Sequence, residues 1–90
     1  MSLHIDGIIG RRVRQRRRLL GLTQQQLAAA IGVRFQQIQK YECGVNKIFA
    51  GRLWSLAQAL QVQPDYFFEG LAERSPAGFG AAQAARSGAP

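Results

Sequence analysis

Apolar residues recur along the first two thirds of the chain at the spacing of helices, and no stretch alternates as a strand would. Ile9, Val13 and Leu20 form one stripe, with Arg17 on the same side, and predict a first helix from about Asp6 to Leu20. Gly21 supplies its stop. Thr23 opens a second helix, where Thr23 and Gln26 have the spacing of a capping box. Leu27 and Ile31 define its buried face, and Gly32, free to adopt a left-handed conformation, ends it. A third helix runs from about Arg34 to Tyr41, with Ile38 and Tyr41 inward. Residues 43–49 read as a loop. A fourth helix spans about Ala50 to Leu60, burying Leu53, Leu56, Ala57 and Leu60 and leaving Trp54 at the margin. Pro64 suits the first turn of a short fifth helix, Asp65 to about Gly70. Beyond Leu71 the composition turns to Ala, Gly, Ser and Pro. That divides the chain into a partly flexible arm (1–7), a helical domain (8–71) and a disordered tail (72–90), in which a marginal Ala-rich helix around 81–86 is conceivable.

The junction between the second and third helices carries the most information. Two helices joined only by Gly32-Val33 must meet at a steep angle. Close approach needs a small side chain, which Ala28 supplies, while Leu27, Ile31, Val33 and Ile38 fill the wedge. A DNA-reading helix-turn-helix needs this residue set.

Charge sharpens that expectation. The formal net charge is +7, but it is uneven: residues 1–63 hold ten Lys/Arg against Asp6 and Glu42, whereas residues 64–90 hold two Arg against three acids. The basic part is where a polyanion would dock. A hydrophobic content of 47% is enough for one small core.

Other chemistry is sparse. Cys43 is the only cysteine, so neither an internal disulfide nor a cysteine-rich metal site can form, which suits a reducing cytoplasm. No apolar run reaches the roughly 18 residues of a membrane span, and no signal peptide is evident. His4 is the only histidine, and no catalytic triad, carboxylate pair or phosphate loop can be assembled, so no enzymatic activity and no cofactor are expected. The length leaves no room for a ligand-sensing domain, and no small-molecule ligand is expected.

The sequence resembles the Cro/C1-type (XRE) helix-turn-helix family of phage and bacterial repressors. The resembling residues are Gly21-Leu22-Thr23-Gln24, Leu27-Ala28, Ile31-Gly32-Val33, Ile38, Tyr41-Glu42 and Gly44, followed by Leu53 and Leu56-Ala57. The match covers roughly residues 8–71 and is free of gaps through 17–44. It implies an all-α, five-helix domain that binds double-stranded operator DNA as a dimer and regulates transcription, usually as a repressor. Small members also serve as antitoxins, so a toxin or other protein partner is the alternative.

The third helix then becomes the recognition helix. With Ile38 and Tyr41 inward, Phe35, Gln36, Gln39 and Lys40 point outward and Arg34 stands at the tip. Gln pairs with adenine N6 and N7, Lys and Arg reach guanine O6 and N7, and Phe packs on a thymine methyl. The family's matching Gln binds phosphate at the start of the second helix, which assigns that role to Gln24. Gln37, Asn46, Lys47 and Arg52 are further backbone candidates, and the first helix's arginines add long-range, salt-sensitive attraction. In the family the residues matching Arg17 and Glu42 form a partly buried ion pair, which makes these two structural. The pattern departs at Arg34, where a capping Ser or Thr is common, and at Cys43, a bystander where a polar residue is usual. Tyr66, Phe67, Phe68 and Leu71 crowd the end of the fifth helix and are the expected dimer contacts.

Overall fold

A computed structural model describes the backbone of residues 2–71 and the side chains of residues 5–71. The tail at 72–90, with its Ala-rich stretch, lies outside the described residues. Helix α1 spans Ser2–Leu19, α2 Gln24–Ile31, α3 Phe35–Glu42 and α4 Ala50–Leu60, and a 3-10 helix covers Pro64–Phe68. The described residues contain no strand.

Local chemistry sets the α2–α3 unit. Thr23 is the N-cap of α2: its hydroxyl accepts from the Gln26 amide at 3.0 Å, and the Gln26 side chain accepts from the Thr23 amide at 2.8 Å. Gly32 closes the helix at φ 73°, with its amide and that of Val33 returning to the carbonyls of Ala29 and Ala28. The chain leaves this turn directly into α3, so Ala28 is buried where the two helices cross.

One core serves all five elements. Val13 from α1, Leu27 and Ala28 from α2, Ile38 and Tyr41 from α3, Leu56, Ala57 and Leu60 from α4, and Phe67 from the 3-10 helix pack as a single buried cluster. Helix α1 underlies α3 at very close range. A Cβ at Gly10 would lie 2.2 Å from the Tyr41 carbonyl oxygen and 2.9 Å from that of Glu42. Only a glycine lets α1 reach the end of α3.

Three expectations are corrected. Helix α1 begins at Ser2, not near Asp6, so residues 2–7 form its first turns. Helix α3 does not stop at Tyr41 but continues through Glu42, while Thr23 is the N-cap that the capping box implies and Arg34 occupies the N-cap position of α3. The fifth helix is not an α-helix over 65–70. It is a 3-10 helix held by i+3 bonds, among them Tyr66 amide to Gln63 carbonyl at 3.0 Å and Glu69 amide to Tyr66 carbonyl at 3.3 Å.

The end of α4 offers a direct stability test. Gln61 is the C-cap at φ 60°, the one non-glycine residue of the described chain in the left-handed region. A side chain there costs about 1–2 kcal/mol that glycine avoids. Gln61→Gly is expected to stabilise the domain by about 1 kcal/mol, which raises Tm by roughly 4–8 °C in a domain of this size. A thermal melt checks it, and an unchanged or lower Tm counts against the strain.

Candidate nucleic-acid interface

Helical geometry sorts the residues of α3. At about 3.6 residues per turn, Ile38, Tyr41 and Glu42 share one side and are buried, while Gln36, Gln39 and Lys40 share the opposite side and are exposed. Arg34 is exposed at the N-cap, where the structure records no side-chain capping bond. Phe35 and Gln37 flank the outer face and are half-buried. Phe35 corrects the expectation of an outward ring: it packs against the core cluster while also edging a surface groove.

That groove and a second one make α3 a ridge between two concavities. On one side Phe35, Gln39 and Cys43 of the ridge face Arg14 and Arg18 of α1 and Thr23, Gln24 and Gln25 at the start of α2. On the other, Arg34, Gln36, Gln37 and Lys40 face Asn46 and Lys47 of the following loop and Arg52 of α4. The expected base-reading and backbone residues therefore share one surface. Arg52 is partly committed elsewhere, since its Nη1 donates to the Ile31 carbonyl at 3.2 Å and ties α4 to the end of α2.

Beneath the ridge lies a buried ion pair. Arg17 Nε donates to Glu42 Oε2 at 2.6 Å and Nη2 to Oε1 at 3.0 Å, a two-pronged match of guanidinium and carboxylate. Arg17 Nη1 donates to the Leu22 carbonyl at 2.8 Å. Gln24 Nε2 adds a bond to Glu42 Oε1 at 3.0 Å. The pair thus joins α1, the α1–α2 turn, the start of α2 and the end of α3. Gln24 is tied into this network, with a second amide hydrogen and its oxygen left for an outside partner.

The arginines of α1 do more than the sequence suggests. Arg16 Nε donates to the Leu60 carbonyl at 2.9 Å, where the last turn of α4 leaves carbonyls without helical partners. Arg12 Nε donates to the Tyr66 carbonyl at 3.2 Å, its guanidinium lies 4.0 Å from the Tyr66 ring centre, and it pairs with Glu69. These non-local braces leave only a faint sequence signal, a stripe of cations four residues apart.

The four expected dimer contacts separate. Phe67 is completely buried in the monomer's own core, which corrects its assignment. Tyr66 is half-buried beneath Arg12 and meets Phe67 edge to face, with ring centres 5.7 Å apart. Leu71 is half-buried, and Phe68 alone of the four is exposed. Among the described residues no cluster of His, Cys, Asp and Glu could hold a metal ion, and no helix is long and apolar enough to cross a membrane.

Comparison with known proteins agrees with this geometry. A family model described as helix-turn-helix, HTH_3, matches residues 13–67. A transcriptional regulator in the ATPase CF(0) region of Rhodospirillum rubrum is 56% identical over 73 residues, covering 81% of this chain and 68% of that protein. An HTH-type transcriptional regulator of Sinorhizobium fredii is 54% identical over 67 residues, covering 74% of this chain but 47% of the relative. The chain spans about half the length of most of the curated relatives it matches. Among solved structures, the DNA-binding domain of the P22 c2 repressor superposes with a TM-score of 0.66 at 34% identity, covering 69% of this chain and 82% of that one. The chain belongs to the HTH_3 helix-turn-helix family, the Cro/C1-type (XRE) group of DNA-binding transcriptional regulators.

Proposed function

We propose that this chain binds a specific duplex DNA sequence in the cytoplasm and represses transcription there, as a dimer on a palindromic operator and without a cofactor. The observation that carries this is the ridge of α3, with Gln36, Gln39 and Lys40 exposed along one face and Arg34 at its tip. An α-helix fits the major groove, and these side chains pair with base edges there. Asn46 and Lys47 flank the ridge and suit phosphate contacts, as does the remaining hydrogen-bonding capacity of Gln24. Phe68 is the exposed apolar anchor for a second copy, with Tyr66 and Leu71 beside it. A dimer would set two ridges about one DNA turn, ~34 Å, apart.

Selection of bound fragments from random duplexes tests this. The expected product is a palindrome whose half-site centres lie about 10 base pairs apart. Failure to enrich any sequence, or enrichment of a single unrepeated half-site, goes against specific binding or against the dimer respectively. Gln36→Ala is then expected to lose about 1–3 kcal/mol on the selected site and to relax preference at one position, an adenine in each half-site. If the selected sequence and its affinity stay the same, Gln36 is not a base reader.

A further inference from the structure

The six arginines of α1 divide into two sets by face. Arg12, Arg16 and Arg17 are buried or half-buried and bond to the 3-10 helix, to the end of α4 and to Glu42. Arg11, Arg14 and Arg18 are exposed, and among the described residues none of the three meets a hydrogen-bond or ion-pair partner. Arg14 and Arg18 are four residues apart on one helical face, an arrangement that costs a few tenths of a kcal/mol through like-charge repulsion. Folding gains nothing visible from them.

Their position supplies a use. Arg14 and Arg18 form one wall of the groove whose opposite wall is Gln39, on the outer face of α3, and whose end is the first turn of α2. The groove's one acid, Glu42, is already neutralised by Arg17. Whatever lies along α3 on this side lies against two unpaired guanidinium groups and a row of amide donors. A duplex that takes α3 into its major groove presents a phosphate strand there.

We infer that Arg14 and Arg18 contact the DNA backbone directly, as a second flank opposite Asn46 and Lys47, so that α1 is part of the interface and not only its support. The inference rests on the duplex-DNA function proposed above. Each phosphate neutralised on B-DNA contributes about 0.9 to the slope of log K against log salt. The variant Arg14→Gln/Arg18→Gln is therefore expected to bind with a slope smaller by about 1.8. Its affinity advantage at 50 mM over 200 mM salt then shrinks about tenfold relative to the unsubstituted chain. Because phosphates carry no sequence information, the loss is uniform across selected and unrelated duplexes. The thermal midpoint is expected to stay level or rise slightly, which separates lost contact from lost fold.

Titrations of both proteins across that salt range decide the matter. If the unsubstituted chain binds and the variant shows the same slope, the second flank is overturned while the DNA function stands. A loss confined to the selected sequence also overturns it. If the unsubstituted chain binds no duplex even at low salt, the DNA function itself fails.

Discussion

Replacing Arg17 by alanine is expected to destabilise the domain by about 3–5 kcal/mol, the usual consequence of removing one partner from a buried ion pair. Glu42 is only 6% exposed, and without Arg17 it keeps a single recorded side-chain partner, the Gln24 amide. An uncompensated carboxylate at that depth is costly, and the Leu22 carbonyl also loses its donor. Small domains have about 5–15 kcal/mol to lose, and one this short sits toward the lower end. At roughly 4 °C or more per kcal/mol, Tm should fall by at least about 12 °C. A circular-dichroism melt measures it, and a midpoint equal to that of the unsubstituted chain would remove the pair from the account of stability. The double variant Arg17→Met/Glu42→Leu separates two causes. Apolar replacement of a whole buried pair is often tolerated, so partial recovery locates the loss in the stranded charge and not in missing contacts. DNA binding should follow the folded fraction, since Arg17 lies beneath the ridge and not on it.

The features legible in the sequence are those with local causes. Thr23, Gln26 and Gly32 act within one helix, through caps and a turn, and the sequence predicts the α2–α3 unit from them. The outward set of Gln36, Gln39 and Lys40 follows from placing Ile38 and Tyr41 inward. Phe35 is assignable by the same period once Glu42 is counted on the inward side, since it lies three residues before Ile38 and seven before Glu42. Gly7 and Gly10 both lie inside α1 although glycine disfavours a helix interior, and the close approach to α3 requires the second of them. Tyr66, Phe67 and Phe68 carry no period that distinguishes them. In a 3-10 helix of three residues per turn, successive rings point in three directions. One enters the core, one lies under Arg12 and one meets solvent. The reach of Arg12 to Tyr66 and of Arg16 to Leu60 depends on elements more than forty residues away, which no local pattern encodes.

Two glycines of α1, three residues apart, should respond oppositely to the same substitution. Alanine is favoured over glycine inside a helix by about 1 kcal/mol. At Gly7 a new Cβ meets nothing within 4 Å, so Gly7→Ala is expected to stabilise by up to about that amount. At Gly10 the same methyl would lie 2.2 Å from the Tyr41 carbonyl oxygen and 2.9 Å from that of Glu42. Both obstacles are backbone atoms at the end of α3 and cannot rotate aside, so one helix must move. Overpacking of this kind costs about 1–3 kcal/mol and sometimes more, and so close an approach belongs at the upper end. The propensity gain offsets part of it, leaving Gly10→Ala destabilised by about 2 kcal/mol. Paired thermal melts check the reversal of sign, and a Gly10→Ala midpoint at or above that of Gly7→Ala would refute the close approach. The clash falls at the end of α3, the proposed recognition helix, close to Gln39 and Lys40. Gly10→Ala should therefore lose affinity for the selected duplex even at temperatures where it is fully folded, while Gly7→Ala should not. A loss that persists below the unfolding transition ties the α1–α3 distance to DNA binding and not to stability alone.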